Sequence, residues 1–222
     1  MRNTLEDQPA GIIFDLDGTL LDTEPLYTDA TQRLLNPYGH TYTMELKKKC
    51  MGGDSRRSAQ MTIDEYTLPL SVDEYLAERE VHLLELFPTS PEIPGAGEFV
   101  TRLMRSKLLL GLATSSHKHL CDIKLENRTW KSAFRSIICG DNAAVKKGKP
   151  APDIFLACAA ALDLSAGDCI VFEDSPTGIK AARAAGMRVI AVNGPYVDLE
   201  DLQEADNIIE NYVEILPSIS DW

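Results

Sequence analysis

Between Gly11 and Thr19 a short apolar run, Ile12-Ile13-Phe14, passes straight into two carboxylates, Asp15 and Asp17, with Gly18 directly behind them. β-Prone apolar residues without polar alternation describe a strand buried on both faces, as in a parallel sheet. The two acids therefore fall at the C-terminal end of a strand. In open α/β sheets ligands bind in the crevice outside those ends, so acids placed there serve chemistry better than they serve the fold. Gly18 lets the backbone bend and come close to a ligand.

The rest of the chain supplies partners for that strand. After about residue 95, Phe99, Leu103 and Met104 have helical spacing and Leu108–Thr114 reads as a buried strand. A helix over Asp122–Lys131, a strand over Ser136–Gly140 and an alanine-rich helix over Pro152–Leu162 follow. A strand over Cys169–Phe172, a helix over Ile179–Ala185 closed by Gly186, and a strand over Val189–Val192 complete the alternation. Strands separated by single helices predict an α/β fold with a mostly parallel sheet.

Residues from 24 to about 90 break that rhythm. Leu26, Ala30 and Leu34, then Tyr75, Val81 and Leu84, carry helical periodicity without a clear strand, and Pro88, Pro91 and Pro94 lead into Gly95. The pattern predicts an all-helical insertion, 23–94, in a core made of 1–22 and 95–222. A module inserted there is placed to close on a substrate.

With 222 residues and a formal charge of −12, the chain offers no basic stripe for nucleic acid or anionic membranes, and no apolar run of membrane-spanning length. The N-terminal segment lacks the apolar centre of a signal peptide, so a cytoplasmic location is expected, with the chain working as a monomer on a small molecule. Five scattered cysteines without a Cys-x-x-Cys pair read as reduced, packed residues, and His117 and His119 as a solvated pair. A nicotinamide site is excluded, because Gly95-Ala-Gly97 lacks a third glycine and follows no strand.

Three further polar features fall at or beside strand ends. Thr114-Ser115-Ser116 offers a hydroxyl and helix N-terminal amides, Lys149 a point positive charge, and Glu173-Asp174 two more carboxylates. Each alone is commonplace, as a cap or a solvated charge. Together they meet the demands of phosphoryl transfer. A carboxylate attacking a phosphate dianion meets repulsion of about 4 kcal/mol per charge pair at ~4 Å and an effective dielectric of ~20. A hard cation such as Mg²⁺, held by Asp15, Asp174 and the main-chain carbonyl of Asp17, would offset it. Lys149 and the Thr114 hydroxyl would cover the remaining phosphoryl oxygens. A carboxylate nucleophile gives an aspartyl-phosphate and divides one hard hydrolysis into two steps, with Asp17 moving the protons.

Asp15-Leu16-Asp17-Gly18-Thr19, Thr114, Lys149 and Glu173-Asp174 resemble the four motifs of the haloacid-dehalogenase-like phosphatases. Gly148-Lys-Pro-Ala-Pro-Asp-Ile-Phe and Val171-Phe-Glu-Asp-Ser-Pro-Thr-Gly resemble the branch that contains pseudouridine 5'-phosphatase and β-phosphoglucomutase. The resemblance implies a Rossmann-like core with an inserted helical cap domain and Mg²⁺ as cofactor. It implies Asp15 as nucleophile, Asp17 as general acid/base, Asp174 as metal ligand with Glu173 beside it, and Thr114, the Ser115 amide and Lys149 on the phosphoryl group. The implied substrate is a small sugar phosphate or nucleotide-like phosphate ester, pseudouridine 5'-phosphate among them.

The alternative is a phosphohexomutase of the β-phosphoglucomutase type. Characterised members of that type carry histidine where this chain has Tyr27, four residues after Thr23, so hydrolysis is favoured. Substrate choice is expected in the cap. Thr23, Tyr27, and Arg56 or Arg57 in Met51-Gly-Gly-Asp-Ser-Arg-Arg are its candidate contacts, against the plainer reading of both arginines as a solvated helix face. Tyr42 is expected in the cap's core.

Overall fold

β1 (Gly11–Phe14) lies at the centre of a sheet, paired in parallel with β2 (Leu109–Thr114) on one side and β4 (Cys169–Glu173) on the other. All four of its residues are buried, as an unbroken apolar run requires. β3 (Phe134–Cys139) continues the sheet beyond β2, while β5 (Arg188–Val192) and β6 (Asn207–Ile209) continue it beyond β4. The order is β3-β2-β1-β4-β5-β6 with every pairing parallel. These features come from a computed structural model that describes residues 9–50 and 55–221.

The chain divides into two compact units, one of residues 1–22 and 91–222 and the other of residues 23–90. The second unit is all-helical among its described residues, with α1 (Glu24–Leu35), α2 (Met44–Cys50), α3 (Ser55–Tyr66) and α4 (Val72–Leu86). Pro25 starts α1, where a missing amide costs nothing, and Ser71 and Glu74 close a capping box on α4. Leu34, Leu35, Ala59, Ile63, Leu68 and Tyr75 form its core, and half-buried Tyr42 packs against them.

In the sheet-bearing unit, the alternation of β1 sends its side chains into two layers. Ile12 and Phe14 join Phe99, Val100 and Leu103 of α5 (Ala96–Leu103), on the side that also receives Cys121 of α6 (Lys118–Lys124). Phe14, Phe99, Phe172 and Tyr212 interlock there with ring centroids 5.1 to 6.4 Å apart. Ile13 turns to the opposite layer, against α7 (Asp153–Ala161) and α8 (Pro176–Ala184). Each fully buried side chain of this size contributes roughly 1.5–3 kcal/mol, so β1 is clamped from both faces.

The structure departs from the sequence reading in three places. The return from the helical unit begins at Pro91 rather than Gly95, because the Ile93 amide donates to Leu20 (2.9 Å) and the Asp22 amide to Pro91 (2.9 Å), tying that segment to the sheet-bearing unit. The helix expected over Asp122–Lys131 is instead α6, which ends at Lys124; a turn and a 3₁₀ segment, Thr129–Ala133, follow and bury Trp130. The edge strand β6, three residues long, had no periodic signal to reveal it. Met51–Asp54, the start of the expected arginine-bearing turn, lie outside the described residues.

Candidate active site

Strand register sets the site. Phe14 is level with Leu112 of β2 and Phe172 of β4, and the Asp15 amide donates to the Phe172 carbonyl at 2.9 Å. Asp15 and Glu173 therefore leave adjacent strands side by side. Lys149 comes from the loop before α7. Its Nζ lies 2.5 Å from Asp15 Oδ1 and 2.7 Å from Glu173 Oε1, with the Phe155 ring centroid at 4.9 Å. The Lys149 and Asp15 side chains are 7% exposed and that of Glu173 is 1% exposed, so all three charges are out of bulk water. Ions at this depth are tolerated only when paired and hydrogen-bonded.

Glu173 is held by more than Lys149. Its Oε2 accepts the Ser175 amide at 2.6 Å and the Ser175 hydroxyl at 3.0 Å, while that hydroxyl accepts the Gly178 amide at 3.0 Å and caps α8. A Cβ on Gly178 would strike the Glu173 carboxylate, so the absent side chain is what lets the acid lie against the first turn of α8. Gly18 has the same relation to Asp174 and also holds a left-handed φ of 80°. The Thr19 hydroxyl, fully buried, donates to Asp174 Oδ1 at 2.9 Å.

Asp15, Glu173 and Asp174 each present an oxygen within 4.8 Å of the others. Three clustered carboxylates face one ammonium, and the acidities of Asp15 and Asp174 register the imbalance. Burial, opposed by Lys149 and reinforced by Glu173 and Asp17, lifts the Asp15 carboxyl to about 7. Burial and then the neighbouring Glu173 and Asp15 raise Asp174 well above the ordinary range. Lys149 moves upward too: burial works against its charge, but Asp15 and Glu173 outweigh it. The ammonium stays charged, while Asp15 and Asp174 hold protons more readily than ordinary carboxylates.

An all-oxygen, anionic and crowded donor set fits a hard divalent cation, whose charge would relieve this repulsion. Both Glu173 oxygens are already engaged by Lys149 and Ser175, which leaves Asp15 and Asp174 as the acids better disposed to hold a metal.

Asp17 points its carboxylate elsewhere. Its Oδ1 accepts from Lys124 at 2.5 Å, and its Oδ2 accepts from the Ser116 hydroxyl at 2.8 Å and from Thr114 at a long 3.4 Å. The expected site residues of the sheet-bearing unit thus divide into Asp15, Lys149, Glu173 and Asp174 in one cluster and Asp17 with Thr114 in another. Ser115 lies exposed just beyond β2. In the helical unit, Thr23 is buried and its carbonyl accepts the Leu26 and Tyr27 amides at 3.0 and 3.1 Å. Tyr27 packs edge-on against Phe87 at 5.3 Å, with the Arg79 guanidinium 5.9 Å from its ring. Arg56 pairs with Asp73 at 2.6 Å on an exposed face, and Arg57 is exposed on the same helix.

Lys124 has no place in the sequence reading, and Ser116, Thr19 and Gly178 enter it only as parts of motifs, without roles of their own. For Lys124 a signal existed. It stands three residues after Cys121 and one before Leu125, on the buried stripe of α6, where a lysine needs a buried partner.

Comparison with known proteins agrees with this chemistry. The model of the haloacid dehalogenase-like hydrolases matches residues 12–192, a span that includes every residue of both clusters. The chain is 37% identical over 221 residues to a protein of Drosophila melanogaster named "Probable pseudouridine-5'-phosphatase", covering 98% of this chain and 96% of that one. It is 37% identical over 212 residues to (DL)-glycerol-3-phosphatase 2 of Arabidopsis thaliana, covering 93% and 88%. The crystal structure of CbbY from Rhodobacter sphaeroides in complex with phosphate shares the fold, with a TM-score of 0.82 at 23% identity over 96% of this chain and 99% of that one. The chain belongs to the haloacid dehalogenase-like hydrolases. Within them it is a phosphatase.

Proposed function

We propose that this phosphatase is Mg²⁺-dependent, that it hydrolyses a small phosphomonoester through an aspartyl-phosphate on Asp15, and that its substrates are sugar phosphates or nucleotide-like phosphates. The observation that carries this reading is the pairing of Lys149 with both Asp15 and Glu173 beside Asp174, at level strand ends, while Asp17 is held apart. In this reading Asp15 and Asp174, with the main-chain carbonyl of Asp17, hold the ion, and Glu173 anchors Lys149 beside them. When bound, Mg²⁺ would supply the positive charge that offsets the repulsion between attacking carboxylate and phosphate.

The residues then divide the work. Asp15 attacks phosphorus; Lys149, the Thr114 hydroxyl and the Ser115 amide bind the phosphoryl oxygens and stabilise charge as it develops. Asp17 protonates the alkoxide as its bond to phosphorus breaks. It then takes a proton from the water that displaces Asp15 from phosphorus, which returns both acids to their starting state.

The helical unit carries selectivity in this proposal, with Thr23, Tyr27, Arg56 and Arg57 as candidate residues. Two relatives named as phosphatases of pseudouridine 5'-phosphate and glycerol 3-phosphate support a small polyhydroxylated ester. A net charge of −12 argues against a nucleic-acid partner, and among the described residues no helix is long and apolar enough to cross a membrane. The protein is proposed to act as a cytoplasmic monomer. Hydrolysis is favoured over a phosphohexomutase, since Tyr27 brings no imidazole to the position where mutases of the family carry one.

The test is phosphate release from a panel of pseudouridine 5'-phosphate, glycerol 3-phosphate and hexose phosphates with Mg²⁺. Turnover abolished by EDTA and by Asp15→Asn is expected. Hexose 1-phosphate converted to hexose 6-phosphate without phosphate release would overturn the hydrolase reading.

A further inference from the structure

Lys124 is the fully buried cation of α6, set among the apolar Cys121 and Leu125, and its ammonium reaches Asp17 Oδ1 at 2.5 Å and Ser116 Oγ at 2.9 Å. Ser116 completes the triangle by donating to Asp17 Oδ2 at 2.8 Å. Each oxygen of the Asp17 carboxylate therefore has its own fixed donor, and rotation of the carboxylate would break both bonds. A proton donor works only when held within a fraction of an ångström of its productive geometry. The helix that carries Lys124 is anchored in turn, since the Arg128 Nε donates to the Lys124 carbonyl at 3.3 Å and the Lys118 amide to Asp141 at 3.0 Å.

We propose that Lys124, acting with Ser116, is the positioning residue that aims the Asp17 carboxylate for proton transfer. This rests on the proposed roles of Asp15 and Asp17. Lys124 does not touch the substrate. It holds the carboxylate of Asp17 away from Lys149, the cation that pairs with Asp15, so that proton transfer and nucleophilic attack use separate carboxylates. A lysine serving stability alone would lower activity on all esters in proportion to the loss of folded protein. A positioning lysine distinguishes leaving groups. The alkoxide of a sugar or glycerol ester must be protonated as it departs, whereas 4-nitrophenolate leaves unprotonated and needs no donor in the first step.

The experiment compares wild type, Lys124→Met and Ser116→Ala, each as the full chain with Mg²⁺. It uses 4-nitrophenyl phosphate and the best alkyl phosphate of the panel, in steady state and by rapid quench. For Lys124→Met the pre-steady-state burst of 4-nitrophenolate is expected to persist, showing that Asp15 still attacks. The kcat for the alkyl ester is expected to fall about 100-fold or more, the scale of general acid–base catalysis, with KM little changed. An equal loss on both esters with the burst abolished, or an unchanged kcat on the alkyl ester, would overturn the role. If Lys124→Met loses the native circular dichroism spectrum, Ser116→Ala decides by the same readouts, with a smaller fall of the same pattern expected. Wild type that releases no 4-nitrophenolate with Mg²⁺ would instead remove the phosphatase mechanism on which the inference stands.

Discussion

Gly178 lies where any side chain would run into the carboxylate of Glu173. The acid is thereby seated on the first turn of α8, and from that seat it holds Lys149 at 2.7 Å. For Gly178→Ala, a gain of about 1 kcal/mol in helix propensity offsets part of an overpacking cost of about 1–3 kcal/mol. Stability should fall, because the displaced Glu173 loosens its buried pairing with Lys149, and kcat should drop steeply, because Glu173 no longer anchors Lys149. Urea midpoints set beside kcat check both; a variant as active as wild type would show that the seat of Glu173 is dispensable.

Lys149→Met should unfold far more easily than wild type. It strips the partner from two carboxylates that are 7% and 1% exposed, and an uncompensated buried charge costs about 3–5 kcal/mol. The loss should be greater at pH 8 than at pH 5, because Asp15 can take up a proton on the acid side. Equal destabilisation at both values, measured by denaturant unfolding, would contradict the buried ion-pair account.

Stability without metal should fall as pH rises toward neutrality. Asp15 has its carboxyl raised to about 7 in the fold against an ordinary value of 3.8, so the folded state binds more protons than the unfolded chain between those values. Its stabilising contribution is complete below pH 3.8 and is lost as pH rises through about 7. Metal competes for the same oxygens and releases the proton. The rise in Tm on adding Mg²⁺ should therefore be larger at pH 8 than at pH 5.5, as differential scanning fluorimetry would record. A shift independent of pH would count against Asp15 as a ligand.

Tyr212→Phe is expected to stabilise the protein. The Tyr212 hydroxyl is buried with no hydrogen-bond partner among the described residues, although the ring packs with Phe99 and Phe172 at 5.1 and 5.5 Å. An unsatisfied buried hydroxyl costs about 1–3 kcal/mol, and phenylalanine keeps the ring contacts without it. An unchanged or lowered Tm would show that the hydroxyl is satisfied in solution, for instance by water.

Much of the sheet was legible because burial on both faces leaves a plain mark: Ile12–Phe14, Leu109–Thr114 and Cys169–Glu173 are apolar runs that end in polar residues. Asn207–Ile209 carried no such mark, as an edge strand of three residues has neither length nor period. The helix after Ser116 was placed too late and drawn too long. It ends at Lys124, and the 3₁₀ segment that follows buries Trp130. The acids and Lys149 were legible as residues at strand ends. The donors around them were not, since Thr19, Ser116, Ser175 and Gly178 look locally like turn and cap residues.

The sequence by itself determined that Asp15 and Asp17 stand at the end of a buried strand, because periodicity and burial are local properties of the chain. Only the tertiary structure decided that these two acids, separated by a single residue, serve different clusters. Parallel register sets Glu173 and Lys149 against Asp15, while α6 brings Lys124, 107 residues further along the chain, to Asp17. The physical reason is that a charge drawn out of water, as that of Asp15 is by its strand and that of Lys124 by its helix, must find an opposite charge to compensate its lost hydration, and which one is within reach depends on the packing of distant segments.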